Sequence, residues 1–403
     1  MKTVLNKKLL PITLACFAIS SVFFSDKLIP FFTVTIIILL FFETKIKLNF
    51  LYNSKFLTPY IFYICVYLFY IFFSDDLTQA LKILERQVLV IVLPIVVFAS
   101  NLNKKRSEVF MKTYLLLMLL ATVISIYLLF NFLNSHEEWI NFMNKKSGNY
   151  TYLQFKYPHL MDVHPTYWAY LLVITNILLL NNKVLKVFKN QLFVNFLLIV
   201  FNVNLFYLSA RTPLIINLII HAIFFINFFR FNKKERKKLI LYALIFLSIL
   251  VVFLFQPLMV FKLSNITNDD RFYLWPKAIE VIKNNYFILG EGLGVGNKIL
   301  KEHIFDIYDT RNNYYGEDLH NQYLKAYLDL GLLGLLSLLN IIFYPLLMSF
   351  KYNKNVTLNL SFSILFFLCL MTESVLYTIK GITVFILLST VLIKIITHNK
   401  ENN

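Results

Sequence analysis

The segment that begins at Asp318, DLHNQYLKAYLDLGLLGLL, places an ionisable side chain directly before a membrane-helix pattern. His320 stands in its polar beginning, and two glycines lead into the apolar remainder. An imidazole titrates near neutral pH and can take a proton from a hydroxyl group. His320 is therefore a candidate general base, with Asn321 in the same candidate site, and Glu317 or Asp318 could orient the ring. The alternative interpretation is an exposed loop histidine.

Two arginines, Arg211 and Arg86, could bind an anion near such a base. Arg211 lies in YLSARTPLIIN, with almost no loop between two apolar runs, and ionisable groups at such a depth are functional candidates. A guanidinium offers forked donors that match phosphate oxygens. Arg86 is a weaker candidate because it follows Glu85, so a local ion pair is one alternative for it. Snorkelling to the headgroups is an alternative for both Arg86 and Arg211.

Two further positions are candidates of lower rank. Gly292 belongs to the alternating glycines of GEGLGVGN, which permit close backbone approach to a ligand but also suit a turn-rich loop. This run is not a dinucleotide fingerprint, because no strand-to-helix context surrounds it. His164 precedes Pro165 in DVHPTYW, where the simpler interpretation is a helix start.

Metal-ligand patterns are weak in this chain. The acidic pairs Asp75/Asp76 and Asp269/Asp270 have no supporting histidine or cysteine at ligand spacing. The sequence therefore predicts no metal site.

Membrane helices must position these side chains. Of the 403 residues, 58% are hydrophobic and 15% are charged, whereas soluble domains carry about 25% charged residues. We therefore predict an all-α integral membrane protein with about twelve transmembrane helices of roughly 17–25 residues. The predicted spans are 9–25, 28–43, 57–73, 84–100, 113–133, 165–181, 192–209, 213–229, 239–256, 330–350, 357–373 and 380–397.

The net charge of +17 is distributed as an insertion signal. When the N-terminus is placed in the cytoplasm and the spans alternate, well over half of the 39 lysines and arginines fall in cytoplasmic segments. This follows the positive-inside rule and predicts that both termini are cytoplasmic. The charge favours contact with anionic membrane lipids, and we expect no nucleic-acid partner.

One predicted connection is much longer than the others. We expect residues 1–403 to form a single polytopic membrane domain, with a large extracytoplasmic loop at 257–329 inserted between predicted helices 9 and 10. This loop should contain short helices. Long loops in compact domains usually carry function, and Arg271, Gly292 and His320 all fall in this one.

Three motifs in order resemble the O-antigen ligase and polymerase family of bacterial membrane enzymes that handle polyprenyl-linked surface glycans. They are SART at 209–212, RFYLWPKAIEVIKNNYFILGEGLG at 271–294, and HNQYLKAYLDLGLLG at 320–334. The layout of about twelve spans, with a large outside loop before the last three, is also similar.

The resemblance implies a metal-independent glycosyltransferase of the bacterial inner membrane that needs no cofactor and works on the outer face. The donor would be a glycan on undecaprenyl diphosphate, and the acceptor a sugar hydroxyl. Arg211 and Arg271 would hold the diphosphate and His320 would activate the hydroxyl. The residues agree, because arginines stabilise charge where it develops on a leaving group.

The acceptor separates two members of this family. It would be lipid A–core in a ligase and the end of another lipid-linked repeat in a polymerase. The single large loop that holds two of the motifs favours the ligase. A related transfer of glycan to protein stays open.

Two other classes compete with the enzyme. A secondary transporter should show two similar halves and discontinuous helices around a midplane site, and the sequence contains no such repeat. A non-catalytic membrane scaffold would tolerate His320→Ala without any change in glycan display.

Overall fold

The computed structural model describes residues 2–23, 28–41, 54–100, 102–134, 157, 159–231, 271–284, 288–296, 298 and 318–398. Within these ranges the regular secondary structure is helical, and no β-strand occurs. Two 3₁₀ turns accompany the helices, at Ser54–Leu57 and Val375–Tyr377. The helices are α1 (Lys2–Phe23), α2 (Leu28–Phe41), α3 (Thr58–Ile71), α4 (Leu77–Gln87), α5 (Leu89–Ala99), α6 (Lys104–Asn134), α7 (Pro165–Leu180), α8 (Asn182–Leu185), α9 (Gln191–Leu208), α10 (Arg211–Phe231), α11 (Arg271–Asn284), α12 (Gln322–Tyr352), α13 (Val356–Thr372) and α14 (Ile379–His398).

The prediction of an all-α membrane protein is confirmed. Among the described residues, 5 helices are long and apolar enough to cross a membrane, and shorter apolar helices accompany them. The count of about twelve spans stays a prediction. The predicted span 239–256 and much of the predicted loop 257–329 lie outside the described residues. The long apolar helices are Ser54–Ile71, Lys104–Asn134, Gln191–Leu208, Gln322–Tyr352 and Ile379–Thr397.

The predicted span 84–100 consists of two consecutive helices rather than one. Helix α4 begins at Leu77, where the carboxylate of Asp76 accepts a hydrogen bond from the backbone N–H of Gln79 at 2.9 Å, a typical N-cap. Its apolar residues lie along one face of the helix, which is only partly covered, since Ile83 is buried while Leu77 is exposed. Helix α5 then continues as an almost wholly apolar segment.

One compact unit comprises Met1–Phe32, Lys104–Ile266 and Asn355–Leu365. In it α1 packs on α6, and α7 packs against α9 and α10. Three asparagine side chains join α7, α9 and α10. Asn176 donates to Asn217 at 3.0 Å, and Asn217 donates to Asn202 at 2.7 Å. Such bonds tie helices together where hydrocarbon offers no other partner, and here they fix α10, which begins at Arg211.

The second unit comprises Thr33–Asn103, Thr267–Lys354 and Phe366–Asn403. In it α14 packs on α5, and α12 packs against α3, α11 and α14. The rings of Phe366 and Phe385 stack with centroids 4.5 Å apart. This unit contains Arg271, His320 and their neighbours, so it carries the candidate site.

Helix α12 is broken at Gly331. Its φ of +57° and ψ of −154° are not helical and are essentially restricted to glycine. The glycine-rich segment fills the break: the N–H groups of Glu291 and Gly292 donate to the carbonyls of Leu328 and Asp329 at 2.7 and 3.0 Å. Helix α12 begins at Gln322, well before the predicted span 330–350. The part after the break is about 30 Å long and can cross a membrane by itself.

Candidate functional site

The centre of the candidate site is a histidine–carboxylate pair. The Nδ1 atom of His320 lies 3.1 Å from Oε2 of Glu373. A carboxylate only accepts hydrogen bonds, so we infer that Nδ1 carries the proton and that Nε2 presents a lone pair. The side chain of His320 is 41% exposed and that of Glu373 is 15% exposed. The ring can therefore be reached by a substrate while the carboxylate that orients it is largely shielded from water.

The backbone holds His320 in a specific conformation. Its φ is +48°, in the left-handed region that is uncommon for a non-glycine residue. The residues on both sides are anchored: the carbonyl of Leu319 accepts from Nε1 of Trp275 at 2.9 Å, and the side chain of Asn321 caps α12 by accepting from the N–H groups of Tyr323 and Leu324 at 3.0 and 3.1 Å. Asn321 is thus a helix cap, and the ring of His320 projects from a fixed turn.

Arg271 lies beside the same carboxylate. A guanidinium nitrogen of Arg271 is 3.7 Å from Oε1 of Glu373, which is an electrostatic contact beyond hydrogen-bond length. Arg271 is the first residue of α11, where the helix dipole adds positive character. Helix α11 is held in place by Leu274, Ala278 and Val281, which pack in one hydrophobic cluster with Leu319 and Leu328.

A second ion pair stands next to the histidine. The Nζ of Lys325 donates to Oδ1 of Asp318 at 2.8 Å, and the same ammonium lies 4.2 Å from the ring centroid of Tyr377. The sequence suggested Glu317 or Asp318 as the group that orients His320. Glu373 has that position in the structure, Asp318 is paired with Lys325, and Glu317 lies outside the described residues.

These charges raise the pKa of His320 and lower the pKa of Asp318. The hydrogen bond with Glu373 raises the pKa of His320, burial of the ring lowers it, and the charges of Glu373 and Asp318 outweigh Arg271, so the net pKa is raised. Burial tends to raise the pKa of Asp318, but the ammonium of Lys325 lowers it below its usual value overall. The histidine is consequently a stronger base than a solvated imidazole.

The remaining sequence candidates have structural contacts of their own. Arg86 is exposed, and its guanidinium donates to the carbonyl of Tyr377 at 3.4 Å, four residues after Glu373. Gly292 has a φ of +104°, and a Cβ at this position would collide with the carbonyl oxygen of Phe73. The backbone of Gly292 therefore lies close to Phe73 and to the broken helix α12, which belong to the same unit.

Arg211 and His164 belong to the first unit. Arg211 is the partly exposed first residue of α10, directly after the two-residue link of Ser209 and Ala210. This agrees with the predicted absence of a loop at this position. His164 is exposed and precedes α7, and its ring meets that of Tyr167 edge-on at 5.9 Å. A helix begins at Pro165, as the sequence indicates, and a site role for His164 stays a prediction.

No group of three or more histidine, cysteine, aspartate or glutamate side chains suited to a metal ion occurs among the described residues. The arrangement around His320 is one base, one orienting carboxylate and one guanidinium. Its chemical capability is proton abstraction from a bound group beside a site that attracts an anion.

Comparison with known proteins gives a family match for part of the chain. Residues 194–339 match the family described as O-antigen ligase. This match confirms the predicted resemblance to the O-antigen ligase family. It covers Arg211, Arg271 and His320 and ends before Glu373. A search of curated proteins gives no significant match. The match over residues 194–339 and the apolar helices are together typical of a membrane enzyme of the glycosyltransferase type.

Sequence reasoning missed Glu373 and Lys325. A signal for Glu373 was present, because this acidic residue is the last one of the predicted span 357–373, and ionisable groups at a membrane boundary are functional candidates. Nothing local in the sequence paired it with His320.

Proposed function

We propose that the chain transfers a glycan from a polyprenyl diphosphate, in particular undecaprenyl diphosphate, to a sugar hydroxyl on the outer face of the bacterial inner membrane. Ligation of O-antigen to lipid A–core is the preferred reaction. The observation that carries the proposal is the base, carboxylate and guanidinium arrangement of His320, Glu373 and Arg271. Two of these three residues lie within the segment that matches the O-antigen ligase family.

The acceptor is activated by the histidine. Nε2 of His320 takes the proton of the attacking hydroxyl while its oxygen forms a bond to the anomeric carbon. The imidazolium that results is stabilised by Glu373, which accepts from Nδ1 at 3.1 Å. This is the role of the carboxylate in a Ser-His-Asp triad, where it orients the ring and stabilises its charged form without taking up the proton.

The donor is activated at its leaving group. As the new glycosidic bond forms, the bond between the anomeric carbon and the diphosphate oxygen breaks, and that oxygen leaves with the bonding electrons. Arg271 stabilises the developing charge with its forked donors, and Arg211 is proposed to assist in the same role. Direct displacement inverts the configuration at the anomeric carbon.

The electrostatic environment supports this division of roles. Glu373 lies close to both His320 and Arg271. An anionic donor would compete with Glu373 for the guanidinium, since the 3.7 Å contact is longer than a hydrogen bond. The carboxylate would then remain available to the histidine, whose proton uptake it favours.

The proposal is tested by deleting the gene and separating the surface polysaccharide on a gel. We expect long chains to be absent from lipid A–core and lipid-linked polymer to accumulate. Complementation with His320→Ala or Arg271→Ala should not restore the long chains. The matched control is Lys283→Ala, which removes an exposed cation from the last turn of α11. Normal long chains from both site variants would refute the mechanism.

The same experiment distinguishes the polymerase. If lipid A–core carries a single repeat in the deletion strain, the acceptor is another lipid-linked repeat and the chain is a polymerase. Transfer to protein would appear as glycosylated polypeptide lost on deletion.

The break in α12 is the feature that a transporter would share, because discontinuous helices surround midplane sites in that class. Here the carbonyls of Leu328 and Asp329 accept from Glu291 and Gly292, so these two acceptors are already used within the chain. A flux measurement with lipid-linked glycan in inverted vesicles tests the alternative, and flux without glycan joining would favour it.

A further inference from the structure

We propose that two buried glutamines, Gln87 of α4 and Gln322 of α12, are positioning residues that hold Glu373 against His320 by clamping the peptide groups of Leu376. The clamp rests on the proposed function for its role in catalysis. Its structural part, the control of His320 by Glu373, can be tested without any substrate.

The clamp uses both polar atoms of one backbone position. The N–H of Leu376 donates to Oε1 of Gln322 at 2.9 Å, and Nε2 of Gln87 donates to the carbonyl of Leu376 at 2.6 Å. Both glutamine side chains are fully buried. The amide nitrogen of Gln322 has no hydrogen-bond partner among the described residues, so its amide bonds only to Leu376 there.

The segment that is clamped determines where Glu373 lies. Helix α13 ends at Thr372, and Glu373 stands between it and the 3₁₀ turn Val375–Tyr377. The turn is closed by the N–H of Tyr377, which donates to the carbonyl of Ser374 at 3.0 Å. Glu373 directly precedes this closed turn, and its own N–H donates to the carbonyl of Cys369 at 3.0 Å. Its carboxylate is therefore placed between the end of α13 and the clamped turn, and a displacement of Leu376 would act on the adjoining backbone of Glu373.

Two further hydrogen bonds stabilise the clamp, one at Gln87 and one at the clamped turn. The hydroxyl of Tyr63 donates to Oε1 of Gln87 at 3.1 Å, which fixes the orientation of that amide. The hydroxyl of Tyr377 donates to Oδ2 of Asp329 at 2.8 Å. The turn after Glu373 is thus held by side chains of α4 and α12, and only the cap residue Asn321 separates α12 from His320.

A simpler role must be separated from this one. Buried N–H and carbonyl groups need partners wherever the chain is not in a regular helix, and the glutamines could serve only to satisfy Leu376. In that case their loss would weaken folding without any specific effect on His320. The positioning role predicts in addition that the titration of His320 changes.

The direction of this change follows from the charges that face the histidine. These are Glu373 after the end of α13, Arg271 from α11, and Asp318, which precedes α12, with its partner Lys325 from the first turn of α12. Glu373 alone among them has a hydrogen bond with the ring among the described residues. Release of Glu373 therefore removes the interaction that most favours the protonated imidazole, and His320 should titrate at lower pH.

The experiment is a histidine titration by NMR on the full-length protein in detergent micelles, labelled with ¹⁵N-histidine. The His320 signal is assigned by its loss in His320→Gln. The test variants are Gln87→Met and Gln322→Met, which keep side-chain length. The control is Tyr60→Phe, which removes a buried hydroxyl 3.4 Å from Ser389 in the same unit.

The expected result is a lower titration midpoint in both glutamine variants and an unchanged midpoint in Tyr60→Phe. In a transfer assay the maximal rate of Gln87→Met should fall on the order of 10- to 100-fold, the cost of a small misplacement of a catalytic group. Unchanged midpoints in folded Gln87→Met and Gln322→Met would overturn the proposal. If neither folds, Tyr63→Phe decides by the same criterion.

The experiments distinguish a failure of the clamp from a failure of the proposed function. If His320 titrates as expected but no variant of His320 alters glycan display, the clamp is correct and the proposed function is wrong. If transfer requires His320 but the midpoints do not move, the proposed function stands and the clamp is wrong.

Discussion

Replacement of Glu373 by glutamine tests the proposal that Glu373 activates His320 as a base. Glu373→Gln keeps the shape of the side chain but removes the negative charge from the partner of Nδ1 in His320. The amide can still accept a hydrogen bond, so the ring should keep its place. The perturbation is therefore mainly electrostatic.

The magnitude can be worked from the contact. A hydrogen bond to a charged group contributes about 1.5–3 kcal/mol, and each 1.4 kcal/mol in a barrier is about a tenfold change in rate. The side chain of His320 is 41% exposed, and solvent screening favours the lower end of this range. We expect a loss of roughly tenfold in the maximal rate of glycan transfer.

The pH dependence provides a second and more specific readout. Under the proposed mechanism only the unprotonated imidazole of His320 can act as the base, so the rate of transfer should rise as the pH passes upward through the pKa of His320. The hydrogen bond with Glu373 is the first cause that raises this pKa. Glu373→Gln should lower it, and the acidic limb of the rate profile should move to lower pH while the plateau falls.

The assay is transfer by the purified protein across a pH series, with lipid-linked glycan as donor. Glu280→Gln is the matched control, because Glu280 is an exposed carboxylate of α11 that pairs with Lys277 at 2.7 Å. It should leave both plateau and limb unchanged. An acidic limb of Glu373→Gln that coincides with that of the wild type would refute the reasoning.

Three further outcomes are expected. Gly331→Ala should lower the Tm in detergent, because its φ of +57° suits glycine and an added Cβ would collide with the carbonyl of Ile288; an unchanged Tm would contradict the broken-helix geometry. Asp318→Asn should cost about 1–3 kcal/mol of stability at neutral pH, since it breaks the pair with Lys325. The folded pKa of Asp318 is lowered, so this contribution is present above the unfolded pKa and lost in acid, where denaturation curves of both proteins should converge. Arg271→Lys should reduce transfer on the order of 10-fold and Arg271→Ala 100-fold or more; equal rates for the lysine variant and the wild type would exclude a forked contact.

Apolar runs were sufficient to locate several helices. The spans predicted at 165–181, 192–209 and 357–373 correspond to Pro165–Leu180, Gln191–Leu208 and Val356–Thr372. Long apolar sequence with few charges has few alternatives to a helix in lipid, because every backbone polar group must be satisfied internally.

The start of α12 could not be predicted in the same way. Residues 322–330 include Gln322, Lys325 and Asp329, which look unsuited to a membrane helix. In the structure these side chains turn to partners within the same unit: Leu376, Asp318 and Tyr377. A hydropathy scale includes the free-energy cost of placing a polar group in lipid, but it contains no information about the hydrogen-bond partner that offsets this cost.

The candidate site was predicted in part for a similar reason. Arg271 and His320 were identified from the motif resemblance and their chemistry, and the structure brings them to the same carboxylate. That carboxylate is 53 residues from His320 in sequence. No periodicity links residues at such a separation, so the pairing follows only from tertiary packing.

The central claim is that His320 acts as the base for glycan transfer from a polyprenyl diphosphate. Its most direct test is to measure release of polyprenyl diphosphate together with formation of the glycosylated acceptor, using purified wild-type protein and His320→Gln. The account predicts equal amounts of both products from the wild type and neither from His320→Gln, although that variant still binds the donor. Equal transfer by the two proteins would contradict it.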